Sequence, residues 1–130
     1  MLVKKLIEKA LDAREFAYAP YSKFRVGAAL LTEDGTIYTG CNIENAAYSP
    51  SNCAERTAFF KAISEGSRKF VRIAIVGGQN EMVAPSPCGV CLQVMMEFCQ
   101  PQTFEIVLAK SPEDYEVYTL SQLLPKGFRL

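Results

Sequence analysis

Three cysteines and a glutamate, far apart along the chain, most constrain how this sequence can fold. The segment Cys53-Ala54-Glu55 is followed at a distance by Pro87-Cys88-Gly89-Val90-Cys91, and the 130 residues include no histidine. Three thiolates can hold a zinc ion with its fourth position open, and a nearby carboxylate can move protons to and from a water there. A fold that uses this pattern must bring the two segments together. Without histidine, neither a Ser-His-Asp triad nor a Cys-His pair can form.

Both cysteine segments are predicted to lie at the N-terminal ends of helices. Backbone N–H groups and the helix dipole favour negative charge there, so these thiols should ionise more readily. Cys88 and Cys91 lie three residues apart on one helix face, and Pro87 suits the first turn because it has no N–H to leave unpaired. If Cys53 starts a neighbouring parallel helix, all three sulfurs can converge on one ion. Arg56 could then donate hydrogen bonds to the ligand sulfurs and withdraw charge from them.

The same residues allow simpler interpretations. A Cys-x-x-Cys pair in a cytosolic protein can be a redox pair or half of a structural zinc site. A closed structural site needs a fourth ligand, and the other two thiols, Cys41 and Cys99, lie on apolar segments where a buried cysteine is common. Glu55, taken alone, would more often be a solvated helix residue. The whole pattern favours a catalytic metal site and leaves these alternatives open.

The composition is typical of one soluble globular domain, which we expect to span residues 1–130. Hydrophobic residues make up 49% of the chain and charged residues 22%. The formal net charge is zero, which argues against nucleic acid or an anionic membrane as a partner. We find no apolar run near the roughly 20 residues of a membrane span, and no signal-peptide core. We therefore expect a cytoplasmic protein whose five cysteines stay reduced.

Hydrophobic periodicity predicts four helices and five strands. Leu6, Ile7 and Ala10 recur at helical spacing, and Asp34-Gly35 is typical of a hairpin turn. The α-β-β-α-β-α-β-β-α order predicts an α/β fold, a three-layer α-β-α sandwich around a mixed five-stranded sheet. The predicted elements are a helix to residue 17, strands 26–31 and 36–39, helix 53–66, strand 72–76, helix 88–99, strands 104–109 and 117–120, and helix 121–124.

The motifs resemble those of a known group, the zinc deaminases. Their signature is H-x-E…P-C-x-x-C, with a glutamate that is not a ligand, and here Cys53 takes the place of the histidine. More narrowly, the chain resembles the small homotetrameric cytidine deaminases of pyrimidine salvage. The matching segments cover almost the whole length: AYAPYSKF (17–24), VGAAL (26–30), GCNIENAAYS (40–49), CAER (53–56) and LLP (123–125).

This resemblance implies a zinc-dependent hydrolase that converts cytidine and 2′-deoxycytidine to uridine and 2′-deoxyuridine, with release of ammonia. One zinc ion per subunit would be held by Cys53, Cys88 and Cys91. Glu55 would take a proton from the attacking water and deliver it first to N3 of the base and then to the leaving amine. The resemblance also implies the α/β fold expected from the periodicity.

The resemblance implies substrate-binding residues as well. The Ala54 N–H would bind the pyrimidine O2, the Ser86 carbonyl would accept from the amino group, and the Phe24 ring would pack against the base. Asn42 and Glu44 would hydrogen-bond the ribose 3′-hydroxyl, and the Glu44 carboxylate would disfavour nucleotides. The simpler interpretation of Asn42 and Glu44 is that they are polar loop residues that satisfy their own backbone.

Neighbouring subunits complete the pocket in this family, so the resemblance implies a homotetramer with shared active sites. Ala46 and Tyr48 resemble residues that reach a neighbour's ribose, and Phe128 resembles a C-terminal aromatic that closes over the substrate. The simpler interpretations are a buried loop tyrosine for Tyr48 and a surface-packed tail residue for Phe128. Two features depart from the family: Leu92 stands where arginine is common, and the sequence ends at Leu130, shortly after Phe128.

The residues leave two other functions open. One is deamination of a different base, in a nucleoside antibiotic or a polynucleotide. The other is a non-catalytic interaction module stabilised by zinc, which would require a closed metal site without an exchangeable water.

Overall fold

The computed structural model describes residues 2–130 and shows a mixed sheet between two layers of helices. The sheet order is β2-β1-β3-β4-β5, in which β3 and β4 pair in parallel and the other neighbours are antiparallel. The predicted order of elements and the three-layer architecture are confirmed. The elements are α1 (Leu2–Arg14), β1 (Val26–Thr32), β2 (Ile37–Cys41), α2 (Ala54–Ser64), β3 (Phe70–Gly77), α3 (Gly89–Phe98), β4 (Glu105–Ser111), β5 (Asp114–Thr119) and α4 (Leu120–Leu123).

Alternate side chains of the central strands face two separate cores, because successive strand residues point to opposite faces of a sheet. On one face, Leu6 and Ile7 of α1 pack with Ala29 and Val76 of the strands. The other face carries α2, α3 and α4 and the larger core. Large, fully buried side chains of that core are Leu30, Phe59, Ile73, Ile75, Met95, Phe104, Ile106 and Leu120.

The sheet register brings two loops to one edge, and this places the site. Gly27 of β1 is paired with Cys41 of β2 on one side and with Val76 of β3 on the other. Both neighbours run antiparallel to β1, so β2 and β3 end at the same edge of the sheet. The loop after β2 leads to α2 and the loop after β3 leads to α3. The N-terminal ends of α2 and α3 therefore meet beyond that edge.

Most element boundaries differ from the predicted ones by a few residues, and three of these differences have a clear physical reason. Helix α1 ends at Arg14, before the predicted Ala17, and Tyr18 instead forms a bridge with Ile43. Strand β5 begins at Asp114, and its exposed, largely polar residues carry a weak strand signal. It ends at Thr119, whose side chain forms a capping box with Gln122 and so starts α4 one residue early. No helix within residues 2–130 is long and apolar enough to cross a membrane.

Candidate active site

The cysteines predicted as metal ligands come together at the N-terminal ends of α2 and α3. Cys53 and Cys88 are the N-cap residues of the two helices. The Sγ atom of Cys88 lies 3.7 Å from that of Cys53 and 3.5 Å from that of Cys91, and all three sulfurs lie within 4.8 Å of one another. Tetrahedral zinc with Zn–S bonds of about 2.3 Å separates its sulfurs by about 3.8 Å. The cluster therefore fits zinc in both donor type and spacing.

Packing against β2 fixes the start of α2. A Cβ atom on Gly40 would lie 2.5 Å from the Ala54 carbonyl oxygen, so glycine lets the helix rest directly on the strand. Thr57 donates from Oγ1 to the Cys41 carbonyl over 3.0 Å, and its Oγ1 also accepts from Asn52 Nδ2 over 3.2 Å. These contacts hold the first turn of α2, and with it the first cysteine ligand, against the sheet.

The remaining two cysteines do not complete a closed site. Cys41 and Cys99 lie outside the three-thiol cluster. Cys99 is buried in the larger core, and burial raises the pKa of its thiol well above the ordinary value. Burial also raises the pKa of Cys41. A four-cysteine structural site is therefore not formed by the thiols of this chain, and the cluster offers three ligands.

Arg56 and the neighbouring thiols favour ionisation of Cys53. Arg56 donates from Nη2 to Cys53 Sγ over 3.2 Å. The pKa of Cys53 is lowered to about 5, chiefly by the adjacent Cys91 thiol and then by Arg56 and Cys88. The pKa of Cys91 is raised instead, because its thiol lies beside that of Cys53 and is buried. The coupled thiols therefore favour a single negative charge that Arg56 stabilises at Cys53.

Arg56 supplies positive charge beside the cluster, and Leu92, which is apolar, supplies none. Leu92 is buried in the larger core of α3 and supplies no charge at the position where the family commonly has arginine. The Arg56 Nε atom is buried and has no hydrogen-bond partner within the described part of the chain. Burial disfavours the charged form of Arg56, but its hydrogen bond to Cys53 and the nearby Cys91 thiol outweigh this effect and raise its pKa.

Glu55 is a buried carboxyl group beside the cluster. It lies in the first turn of α2 and is only 4% exposed. Its pKa is raised to about 7, mainly because burial disfavours the charged form, and the Cys53 thiolate acts in the same direction. A carboxyl group with a pKa near neutrality can both accept and return a proton under physiological conditions. The structure therefore excludes the interpretation of Glu55 as a solvated helix residue.

Two adjoining cavities connect the cluster with the predicted substrate-binding residues. The outer cavity, of about 410 Å³, shares Asn42 and Cys53 with the inner one and extends past Glu44 and Tyr48. The inner cavity, of about 150 Å³, contains Glu55 and two of the thiols. Its lining residues are Phe24, Val26, Asn42, Cys53, Ala54, Glu55, Ile75, Pro85, Ser86 and Cys88.

Phe24 is held in the inner cavity by close packing and by Asn42. The Phe24 ring lies so near the end of β3 that a Cβ atom on Gly77 would be 3.0 Å from it. Asn42 accepts from the Val26 N–H over 2.8 Å through Oδ1 and donates to the Phe24 carbonyl over 2.8 Å through Nδ2. Asn42 thus orders the segment that carries the ring while it lines both cavities.

Glu44 orders the neighbouring turn in a similar way. Its carboxylate accepts from the N–H groups of Tyr21 and Ser22 over 3.0 Å and 3.1 Å, and also from the Ser22 hydroxyl. These bonds, chiefly that from the Ser22 hydroxyl, lower the pKa of Glu44, so the group is ionised near neutrality. Asn42 and Glu44 therefore satisfy their own backbone as the simpler interpretation predicts. Both also face a cavity and keep unused hydrogen-bonding capacity.

The other predicted substrate residues divide into three groups by their position relative to the cavities. Ala54 and Ser86 line the inner cavity. Ala46 and Phe128 are exposed and lie outside both sets of lining residues. Tyr48 borders the outer cavity, is 78% exposed and has a φ angle of 64°, so its interpretation as a buried loop tyrosine is wrong.

Arg14 is the residue near the site that the sequence did not reveal. It is 8% exposed and donates to the Gly78 carbonyl from Nε over 2.9 Å and from Nη2, and to the Gln79 carbonyl over 2.9 Å. These bonds hold the start of the loop that carries Pro85 and Ser86. An arginine in the last turn of a helix is usually solvent-exposed, so the sequence gives no signal for this contact.

The chain is similar to cytidine deaminases in both sequence and structure. Residues 2–107 match the family model of the cytidine and deoxycytidylate deaminase zinc-binding region. A cytidine deaminase of Sporosarcina psychrophila is 56% identical over 128 residues, which cover 98% of this chain and 92% of that protein. A cytidine deaminase of Halalkalibacterium halodurans is 52% identical over 123 residues, with 95% and 91% covered.

Solved structures give the same result. The crystal structure of cytidine deaminase from Burkholderia pseudomallei matches with a TM-score of 0.87 and 51% identity, covering 95% of this chain and 97% of that one. Cytidine deaminase from Mycobacterium tuberculosis matches with a TM-score of 0.82 and 36% identity, covering 97% and 96%. The expected fold class and family resemblance are confirmed. Zinc is confirmed as the expected metal, because the matched family model is a zinc-binding region and the three predicted thiols form one cluster.

Proposed function

Because the chain belongs to the cytidine and deoxycytidylate deaminase family, we propose that it hydrolyses cytidine and 2′-deoxycytidine to uridine and 2′-deoxyuridine with release of ammonia. The observation that carries this proposal is the buried Glu55 carboxyl beside three clustered thiols in one cavity. Such a reaction returns cytosine nucleosides to the uracil pool and so belongs to pyrimidine salvage. The need for reduced thiols suits the cytoplasm.

The reaction needs one oxygen nucleophile and the movement of two protons, each by way of Glu55. Zinc held by Cys53, Cys88 and Cys91 would supply a Lewis acid and lower the pKa of the attacking water. Glu55 accepts one proton from that water as a C4–O bond forms, and delivers it to N3 of the base. It then takes the second proton from the new hydroxyl group and passes it to the amine. The C4–N bond breaks, ammonia leaves, and N3 keeps its proton as the product requires.

The inner cavity provides groups for a pyrimidine ring. The Ala54 N–H is in the first turn of α2 and has no partner within the helix, so it can bind the base O2. The Ser86 carbonyl can accept from the exocyclic amine, and the Phe24 ring can pack against the base. These three groups would hold C4 of the base next to Glu55.

The outer cavity provides groups for the sugar. Asn42 and Glu44 would bind the ribose 3′-hydroxyl with the hydrogen-bonding capacity that their backbone contacts leave unused. Glu44 also sets a limit on the substrate. Its pKa is lowered, so the group is ionised, and a phosphate placed beside it would be repelled. We therefore propose nucleosides as substrates in preference to nucleotides.

A homotetramer would complete each site. Tyr48 and Phe128 are large apolar side chains that are 78% and 63% exposed, and burial of such groups between subunits is favourable. Ala46, Tyr48 and Phe128 would approach the sugar and base bound by a neighbouring subunit. Catalytic activity should therefore require assembly, and it should fall on dilution if the tetramer dissociates.

Ultraviolet spectroscopy with purified, zinc-loaded protein tests the proposal. Conversion of cytidine and 2′-deoxycytidine to the uracil nucleosides should follow, while cytosine, cytidine monophosphate, adenosine and single-stranded oligonucleotides should not react. Absence of turnover with both nucleosides, measured on fully assembled protein, would reject the function. If one of the other compounds reacted faster than the two nucleosides, that compound would replace them as the proposed substrate.

A further inference from the structure

The C-terminal tail, residues 126–130, is fastened to the end of α3 by Arg129. The guanidinium donates from Nε to the Met96 carbonyl over 2.5 Å and from Nη2 to the Cys99 carbonyl over 2.5 Å. Helix α3 has no basic residue of its own in its last turn. The final carbonyl groups of a helix lack helical partners and carry the negative end of the dipole, so a cation there is stabilising.

Two further contacts restrain the backbone on either side of Phe128. Gln93 of α3 donates from Nε2 to the Phe128 carbonyl over 3.1 Å. A Cβ atom on Gly127 would lie 2.8 Å from Cγ of Met96, so the tail runs in direct contact with the helix there. The Phe128 backbone is thus held, whereas its ring is 63% exposed. Because the backbone is restrained and the ring is exposed, the Phe128 ring has a fixed position from which it can contact another molecule.

We propose that Arg129 is a positioning residue that presents Phe128 to the active site of a neighbouring subunit. The proposal rests on the proposed function, in which Phe128 closes over the nucleoside of that neighbour. A free tail would lose conformational entropy each time it closed over the substrate, and an anchored tail has already lost it. Arg129 therefore acts on nucleoside binding, and does so through Phe128.

Kinetics of four variants and amide hydrogen exchange test this role. The variants are Arg129→Gln, Phe128→Ala, their double mutant, and Lys126→Gln, which removes an exposed cation of the same tail. Arg129→Gln should speed amide exchange in the tail of the zinc-loaded, substrate-free protein. It should raise KM for cytidine about tenfold and leave kcat within about twofold and zinc content unchanged. Lys126→Gln should match the wild type in all four measurements.

The double mutant separates positioning from simple helix capping. If Arg129 acts through Phe128, the KM of the double mutant should equal that of Phe128→Ala alone. Independent, multiplying effects on KM would overturn the proposal, as would an unchanged KM in Phe128→Ala. A tail that exchanges as slowly in Arg129→Gln as in the wild type would also overturn it. Deletion of residues 129–130 provides a second test if the glutamine variant folds poorly.

The exchange measurement also keeps this proposal distinct from the proposed function. A wild-type protein that did not turn over cytidine would reject the function. The tail exchange of Arg129→Gln would still decide whether Arg129 anchors Phe128.

Discussion

The Arg56 guanidinium donates a hydrogen bond to the Sγ atom of Cys53 over 3.2 Å. Three thiolates on Zn²⁺ leave a net charge near −1, and this excess negative charge makes a bound water a weaker acid. A cationic donor on one sulfur withdraws electron density from it. Arg56 therefore offsets the cost of using three cysteines in place of a histidine-containing ligand set.

Arg56→Gln should lower kcat by about 10- to 100-fold, because the ligand sulfurs lose their charge-assisted donor. Zinc content per chain should be measured on the same samples, so that weaker binding and weaker activation are distinguished. Lys69→Gln removes an exposed cation elsewhere and serves as the control. An unchanged kcat at full zinc occupancy would show that the contact between Arg56 and Cys53 does not tune the metal.

Glu55→Gln should lower kcat by about 100- to 10,000-fold, since an amide of the same shape cannot transfer the protons. The variant should still bind one zinc ion, because the three thiols are intact. Glu65→Gln, at the exposed C-terminal end of the same helix, should behave as the wild type. Residual activity of Glu55→Gln near the wild-type level would remove Glu55 from its assigned role.

The raised pKa of Glu55 should appear in the stability of the metal-free protein. Its pKa is about 7 in the folded state and 4.5 as the ordinary value, so ionisation above about pH 4.5 opposes folding. Stability is therefore lost as the pH rises from about 4.5 to about 7, and Glu55→Gln escapes this loss. Relative to wild type, the variant should gain roughly 3 kcal/mol over that interval.

Urea denaturation of chelated wild-type protein and Glu55→Gln at several pH values measures this effect. The thiols titrate in both proteins, so the difference between the two reports mainly on Glu55. A difference in the free energy of unfolding that does not change with pH would show that Glu55 has an ordinary pKa in the fold.

The larger aromatic core should depend strongly on Phe59. This ring is fully buried and contacts Phe70 edge-on, with ring centroids 5.1 Å apart, and Phe104 at 6.1 Å. Phe59→Ala should lower the free energy of unfolding by about 3–5 kcal/mol, from lost burial and the cavity left behind. Phe60→Ala, at the next position and 48% exposed, should change it by less than about 1 kcal/mol. Equal losses for the two variants in denaturant titrations would contradict this packing.

The parts of the molecule that follow from local pattern could be predicted from the sequence. The order of helices and strands was correct because apolar residues repeat at helical or strand spacing over whole elements. The cluster of Cys53, Cys88 and Cys91 could be predicted because few residue types bind metal and their spacing is restrictive. A site whose chemistry requires particular residue types can therefore be recognised from the sequence without coordinates.

Contacts between distant segments could not be predicted. Arg14 and Arg129 look like ordinary surface cations in the sequence, yet each binds backbone carbonyls far along the chain, at Gly78 and at Met96. A carbonyl oxygen is present at every residue, so the sequence does not mark which one a guanidinium will reach. Similarly, the burial that raises the pKa of Glu55 depends on how α2 packs and not on its neighbours in sequence.

Replacing one ligand cysteine should abolish zinc binding, whereas replacing a cysteine outside the cluster should not. Cys88→Ser removes the thiol whose Sγ lies 3.7 Å and 3.5 Å from the other two sulfurs. Its zinc content should fall well below one ion per chain after dialysis against a chelator, and cytidine turnover should be lost with it. Cys41→Ser keeps the cluster intact and should retain one zinc ion under the same conditions. Retention of one zinc ion per chain by both variants would show that the metal is bound elsewhere. Loss of zinc from both would mean that a fourth thiol takes part, and the open coordination position on which the reaction depends would then not exist.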